Sequence, residues 1–197
     1  MTAPSMYSLI EMRLCDGIAT LSLNDPPANT LTYDLLVQLE QAFIRALLDA
    51  AVKTIVLTGK GERFFSGGVN IGMLCQATRH FNSNFVLYAS EVFDLIARSS
   101  KPLIAAINGH ATGGGLELTL LAQQRIAADG DYHIGLPEVR LGVIPGLGGT
   151  QRLSRLVGMD SALDLITQAR LVTPREALAL GIVDQVVPAA ALPESIA

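Results

Sequence analysis

The chain has 197 residues, 50% hydrophobic and 16% charged, with a formal net charge of −4: enough chain to bury a core in one domain, and no basic excess to neutralise nucleic-acid phosphates. An anionic small ligand is not excluded, because it needs only a local basic patch. No stretch reaches the about 18 apolar residues of a membrane span, MTAPSMYSLIEMRL lacks a secretory signal's basic and apolar regions, and Cys15 and Cys75 have no metal or disulfide spacing, so a cytoplasmic protein is expected.

YSLIEMRL and IATLSL flank CDG, and Asp16-Gly17 between two short runs predicts a tight β-hairpin. The prolines of NDPPANTLT end the second strand. Thr32 or Asp34 can then cap a helix with apolar positions at Leu35, Leu36, Leu39, Phe43 and Leu47. KTIVLTG reads as a strand buried on both faces, and KGERFFSGGVNIGML as a glycine-bearing loop leading into a short helix. A helix over about 82–97 ends at RSSKP, LIAAI is a second buried strand, and Asn108-Gly109 turns the chain toward Gly113, Gly114 and Gly115. RIAA and YHIG predict short strands. Helices are expected near 150–156, 161–169 and 174–180, then a last strand IVDQVV. Strand–loop–helix recurs, which predicts an α/β architecture with mostly parallel strands and no linker that splits the chain.

The stretch INGHATGGGLELTLLAQ carries the first chemical signal. Leu116, Leu118, Leu120 and Leu121 cover nearly every face of the helix that follows the glycines, and a helix apolar all round is a buried one. Glu117 then points into surroundings of low dielectric, where an unpaired carboxylate stays protonated through a raised pKa. Such a group suits a general acid or base; equally, Glu117 can pair with a buried arginine or cap backbone amides, and the local sequence leaves both open. The glycines expose amides at a helix N-terminus, where the dipole favours negative charge. They can stabilise an oxyanion or simply permit close helix–strand packing. No GxxxxGK[ST] or GxGxxG spacing is present. FFSGGVN offers a second loop-to-helix junction with free amides, and two such junctions can converge on one oxygen. Glu138, in LPEVRLGVIPGLGGTQRL, follows Pro137, so its plain reading is a first-turn glutamate satisfying the dipole. His80, His110 and His133 sit in separate segments without metal-like spacing, no GxSxG elbow surrounds any serine, and Lys60 and Arg63 flank the FFSGG loop.

Taken together, FFSGGVNIGML, KPLIAAINGHATGGGLEL and GLPEVRLGVIPGLGGTQRLSRLVG resemble the enoyl-CoA hydratase/isomerase (crotonase) family in order and spacing. PPANTLT and LVTPREALALGIVDQVV fit its flanking segments, so the likeness covers nearly the whole chain. The resemblance implies a crotonase-like α/β spiral of repeated ββα units, one domain over 1–197 with a core over about 7–188. It places Val69 and Gly114 where the family provides its two oxyanion-hole amides, and Glu117 and Glu138 at its two catalytic glutamates. It implies a path for coenzyme A past Ala28 and along Ser66, Gly67, Gly68 and Asn70, with Gly113 and Pro137 also lining the substrate site. Coenzyme A would arrive as the thioester substrate; no separate cofactor and no metal is implied. Members with both glutamates typically add water to a trans-2-enoyl-CoA.

Family members usually run longer, ending in helices that close the acyl pocket and support trimer contacts, whereas this chain stops at LPESIA; the C-terminal helical region is expected to be shortened. Asn70 stands where an aspartate is usual, and Gln124 where an apolar residue is usual. The reading is an enoyl-CoA hydratase of fatty-acid metabolism, a homo-oligomer (trimer or dimer of trimers) bound to no membrane. Its alternatives are a Δ3–Δ2 enoyl-CoA isomerase working through Glu138, and a non-catalytic acyl-CoA-binding or assembly subunit.

Overall fold

The computed structural model describes residues 8–196, so Tyr7, where the first strand is expected to begin, lies outside the described residues. Strands β1 (Ile10–Cys15) and β2 (Ile18–Leu23) pair antiparallel across the Asp16-Gly17 turn. In β2, Ala19, Leu21 and Leu23 are buried and the residues between them are not, the alternation of a strand covered on one face. Thr32, not Asp34, caps helix α1 (Tyr33–Leu48): its hydroxyl accepts from the Leu35 amide, which frees the first turn to carry Asp34 near the helix dipole. Leu35, Leu36, Leu39 and Phe43 are its buried stripe.

Next come β3 (Thr54–Gly59), β4 (Phe64–Ser66), α2 (Ile71–Gln76), α3 (Arg79–Ala97), β5 (Leu103–Ile107), β6 (His110–Thr112) and α4 (Gly114–Thr119). They are followed by β7 (Gln124–Ala128), β8 (Ile134–Gly135), a 3-10 turn (Glu138–Leu141), α5 (Gly149–Val157), α6 (Met159–Thr167), β9 (Leu171–Val172), α7 (Pro174–Ala179) and β10 (Gln185–Val187).

Several boundaries differ from expectation for local reasons. Helix α3 starts before Asn82 because the Thr78 hydroxyl caps it by accepting from the Phe81 amide. The FFSGG segment is not all loop; β4 occupies its start, and β4, β6 and β9 are too short for an alternating pattern to show. The last strand begins only at Gln185, because the amides of Ile182 and Val183 are drawn back to the Ala177 carbonyl at the end of α7.

Two sheets result: a six-stranded one in the order β1-β2-β3-β5-β7-β10, and a four-stranded one in the order β4-β6-β8-β9. From β2 to β10 the large sheet is parallel. The motif strand, strand, helix recurs as β3-β4-α2, β5-β6-α4 and β7-β8-α5. Each time the first strand joins the large sheet and the second the small one, which winds the chain into the expected crotonase-like spiral. Phe43, Phe65, Phe93, Leu57 and Ile96 are fully buried within one continuous core.

Candidate active site

In the small sheet β4, β6 and β8 lie side by side and parallel, so the residues that follow them emerge at one end of the sheet. The carboxyl ends of parallel strands are where α/β folds gather functional groups. After β4 comes Val69, after β6 come Gly113 and Gly114, and after β8 come Pro137 and Glu138. Strand order thus makes neighbours of three segments that are far apart along the chain.

Val69 forms a parallel bridge with Leu31 in which Leu31 N–H donates to the Gly68 carbonyl (2.8 Å) and Asn70 N–H to the Leu31 carbonyl (3.2 Å). The Val69 N–H therefore points away from Leu31. The Val69 nitrogen lies beside the start of α4: a Cβ placed on Gly114 would lie 3.5 Å from it, and one placed on Gly68 would lie 3.1 Å from the Gly114 nitrogen. Gly113 N–H is taken by the Gly135 carbonyl at 2.9 Å, whereas the amides of Val69 and Gly114 find no acceptor among the described residues. Two unsatisfied donors side by side, one of them opening a helix, can hold an oxygen that gains negative charge.

Glu117, one turn into α4, is 2% exposed. Its Oε1 accepts from the amides of Leu147 and Gly149, each at 2.8 Å, and Oε2 is left without a protein partner among the described residues. Of the readings left open by the sequence, the structure shows the contact with backbone amides, made by one oxygen while the other stays free. Burial pushes its carboxyl up, against the pull of those two amides and of Arg152. Glu138 lies close to Gly113, where a Cβ would come within 3.2 Å of Glu138 Oε1. Its Oε2 is buried without a hydrogen-bond partner among the described residues. Burial pushes its carboxyl up to about 7; its own backbone amide opposes the rise, and the charge of Glu117 adds to it.

A raised carboxyl makes stability pH-dependent. Folded Glu138 keeps its proton up to about 7 while the unfolded side chain loses it near 4.5, so its contribution is full below 4.5 and is lost as pH rises through 7. Glu138→Gln cannot ionise and is expected to exceed the wild type in stability by roughly 1–2 kcal/mol at pH 8, after allowance for partial exposure, and by little at pH 4. Urea denaturation at both pH values checks this; a gain that is equal at both would contradict it.

The remaining residues frame this centre. Gly67 N–H donates to the Ala28 carbonyl (2.8 Å), which lays the PPAN loop beside the FFSGG loop. Ser66 is fully buried; its hydroxyl donates to the Asn29 carbonyl (2.7 Å) and accepts from Gly68 N–H (3.1 Å), so that side chain shapes the loop from within. The Asn70 side chain caps α2 by accepting from Met73 N–H (2.8 Å) and donates to the Thr30 hydroxyl (3.1 Å). Asparagine serves as a helix cap as well as aspartate does, which accounts locally for the departure at this position. Pro137 precedes the 3-10 turn as its cap residue.

Lys60 pairs with Glu11 on the surface, and the Arg63 guanidinium lies 5.5 Å from the Phe64 ring centroid. His110 and His133 fall in unrelated segments of the sequence, but β6 and β8 stack their rings 5.7 Å apart, and the His133 amide donates to His110 Nδ1 at 3.1 Å. The setting of Leu147, Gly149 and Arg152 around Glu117 has no signal in the sequence beyond the GLGGTQR motif. Among the described residues no group of three His, Cys, Asp or Glu side chains could hold a metal, and no helix is long and apolar enough to cross a membrane. A groove of about 1820 Å³ runs along β1, β2 and α1, past Thr20, Ser22 and Thr58, and holds none of the candidate site residues.

A family model described as enoyl-CoA hydratase/isomerase matches residues 13–196. The chain is 44% identical over 181 residues to the glyoxysomal fatty acid beta-oxidation multifunctional protein MFP-a of Brassica napus, covering 90% of this chain and 25% of that protein. It is 41% identical over 175 residues to a probable enoyl-CoA hydratase of Bacillus subtilis (strain 168), covering 88% and 67%. A solved enoyl-CoA hydratase from Bacillus anthracis superposes with a TM-score of 0.91 at 35% identity, covering 95% of this chain and 73% of that one. The chain spans about a quarter of the length of the multifunctional proteins it matches. Most of these curated relatives are named as peroxisomal or glyoxysomal proteins, which overturns the cytoplasmic expectation. Compartment is set by short address signals, not by the free thiols and the missing apolar segments from which it was inferred.

Proposed function

Because the chain belongs to the enoyl-CoA hydratase/isomerase family, we propose that it adds water to a trans-2-enoyl-CoA, with Glu117 and Glu138 as its catalytic groups. The reading is supported by a buried Glu117 and a partly buried Glu138, both with raised carboxyls, in the same region as the two amides that find no acceptor among the described residues. The thioester oxygen accepts hydrogen bonds from Val69 and Gly114, which stabilise the enolate as charge moves onto oxygen. Glu117 takes a proton from water as the hydroxyl adds to the β-carbon. Glu138, which holds its proton to about pH 7, gives that proton to the α-carbon. Return of a proton from Glu117 to Glu138 through solvent closes the cycle. The two groups act as a coupled pair.

Coenzyme A runs past Ala28 and along the 66–70 loop in this reading, and Gly113 and Pro137 line the reacting end. The residues form one domain, a reading supported by their single continuous core. A homo-oligomer is supported by the exposed Leu156, Met159 and Leu163 on α5 and α6.

A second reading is favoured by the unpartnered Oε2 of Glu138. A carboxyl titrating near neutrality can move a proton between the α- and γ-carbons of a 3-enoyl-CoA over the same oxyanion hole. Loss of enoyl absorbance with crotonyl-CoA and with a longer 2-enoyl-CoA tests the first reading. Turnover supports the hydratase, whereas a folded protein that turns over only 3-enoyl-CoA supports the isomerase. No turnover of either leaves the non-catalytic binding subunit.

A further inference from the structure

Glu117 is held from behind by a turn that is itself gripped. Leu147 donates its N–H to Glu117 Oε1, and its carbonyl, in the next peptide unit, accepts from Arg152 Nη1 at 2.7 Å. Arg152 Nη2 reaches Asp94 Oδ1 on α3 at 3.2 Å, so the guanidinium joins α3 to the turn that opens α5. The Arg152 side chain is 23% exposed and that of Asp94 57%. Two adjacent glycines make the arrangement possible. A Cβ on Gly148 would overlap the Arg152 guanidinium, and one on Gly149 would come within 2.9 Å of Glu117 Oε1. One glycine thus clears space for the cation and the next for the carboxylate, on either side of the same turn.

We infer that Arg152, anchored on Asp94, is a positioning residue that fixes Leu147 through its carbonyl, holds its N–H on Glu117 Oε1, and thereby aims the free oxygen of Glu117. The inference rests on the hydratase reading. A planar guanidinium can meet two acceptors at a set angle, which a lysine ammonium cannot reproduce. The charged groups acting on this arrangement are Glu138 from the 3-10 turn, Asp94 from α3, Arg98, whose Nη2 lies 3.9 Å from Asp94 Oδ2, and Arg155, which lines the same cavity of about 270 Å³ as Arg152. Arg152 pulls the Glu117 carboxyl down, so its removal lets burial push that carboxyl further up.

The test compares Arg152→Met, Arg152→Lys and Asp94→Asn in the full chain. It reads kcat and KM for crotonyl-CoA against pH, together with the carbon-13 carboxyl titration of Glu117, identified by its loss in Glu117→Gln. Arg152→Met should lower kcat about 10- to 100-fold with KM nearly unchanged, and move the Glu117 midpoint upward. Arg152→Lys should restore much of the midpoint but not kcat. Asp94→Asn, at a largely exposed site, should fall between wild type and Arg152→Met, and it carries the test if Arg152→Met does not fold. An unmoved Glu117 midpoint in the folded variants, or a kcat loss that merely follows the unfolded fraction, overturns the inference. A wild type that hydrates nothing, with a Glu117 midpoint that still moves in the variants, overturns the hydratase reading and leaves the positioning role standing.

Discussion

Glu117→Gln is expected to cut hydration of a 2-enoyl-CoA roughly a thousandfold while leaving the fold intact. The amide is nearly isosteric with the carboxylate, and its carbonyl oxygen can still accept from Leu147 and Gly149 where Oε1 does so at 2.8 Å. What is lost is the second oxygen, free among the described residues, which the proposed hydration uses to take a proton from water. Stability should stay within about 1 kcal/mol of the wild type, because the substitution also removes a buried ionisable group. The measurement is kcat with crotonyl-CoA beside a denaturation curve. Isomerisation of a 3-enoyl-CoA, if present, should survive far better, since that reaction can run through Glu138 alone. Equal loss of both activities would remove the distinction between the two carboxyls.

Gly68→Ala is expected to damage both stability and turnover. Gly68 sits at φ +85°, and a Cβ there would lie 2.6 Å from the Thr112 carbonyl oxygen and 3.1 Å from the Gly114 nitrogen. Those atoms are backbone, held by the β4–β6 pairing, so the strain is relieved only by moving the Val69 and Gly114 amides apart. A cost of roughly 2–4 kcal/mol is expected from the left-handed conformation and the crowding together. Turnover of the folded fraction should fall about 100-fold, the loss typical of one misplaced oxyanion donor. Gly181→Ala is the control. Gly181 has φ +77° with no atom within 4 Å of the added Cβ, so only the conformational cost of about 1 kcal/mol should appear, with kcat unchanged. If Gly68→Ala costs no more than Gly181→Ala, the close approach of the two loops is not what the structure describes.

Much of this candidate site is legible in the sequence because its motifs are local. Glycines before an apolar helix mark exposed amides, and a glutamate inside that helix marks a buried carboxyl; both follow from neighbours a few residues away. The buried strands β3 and β5 and the stripe of α1 are legible for the same reason. The sequence narrows the cap of α1 to Thr32 or Asp34 without choosing, because both suit a helix start and only the path of the chain selects one.

Composition and local pattern by themselves determined that this is an α/β chain with a large core, that Glu117 is buried, and that two glycine-bearing junctions expose amides. The order of β4, β6 and β8 was decided only by the tertiary structure, and that order sets Val69, Gly114 and Glu138 side by side. It also decided that Ser66 reaches Asn29, that Asn70 reaches Thr30, and that Arg152 reaches Asp94 behind Glu117. The physical reason is the same in each case. These contacts join residues far apart in sequence through parallel pairing and helix packing, and no periodicity along a chain records which distant strand will become its neighbour.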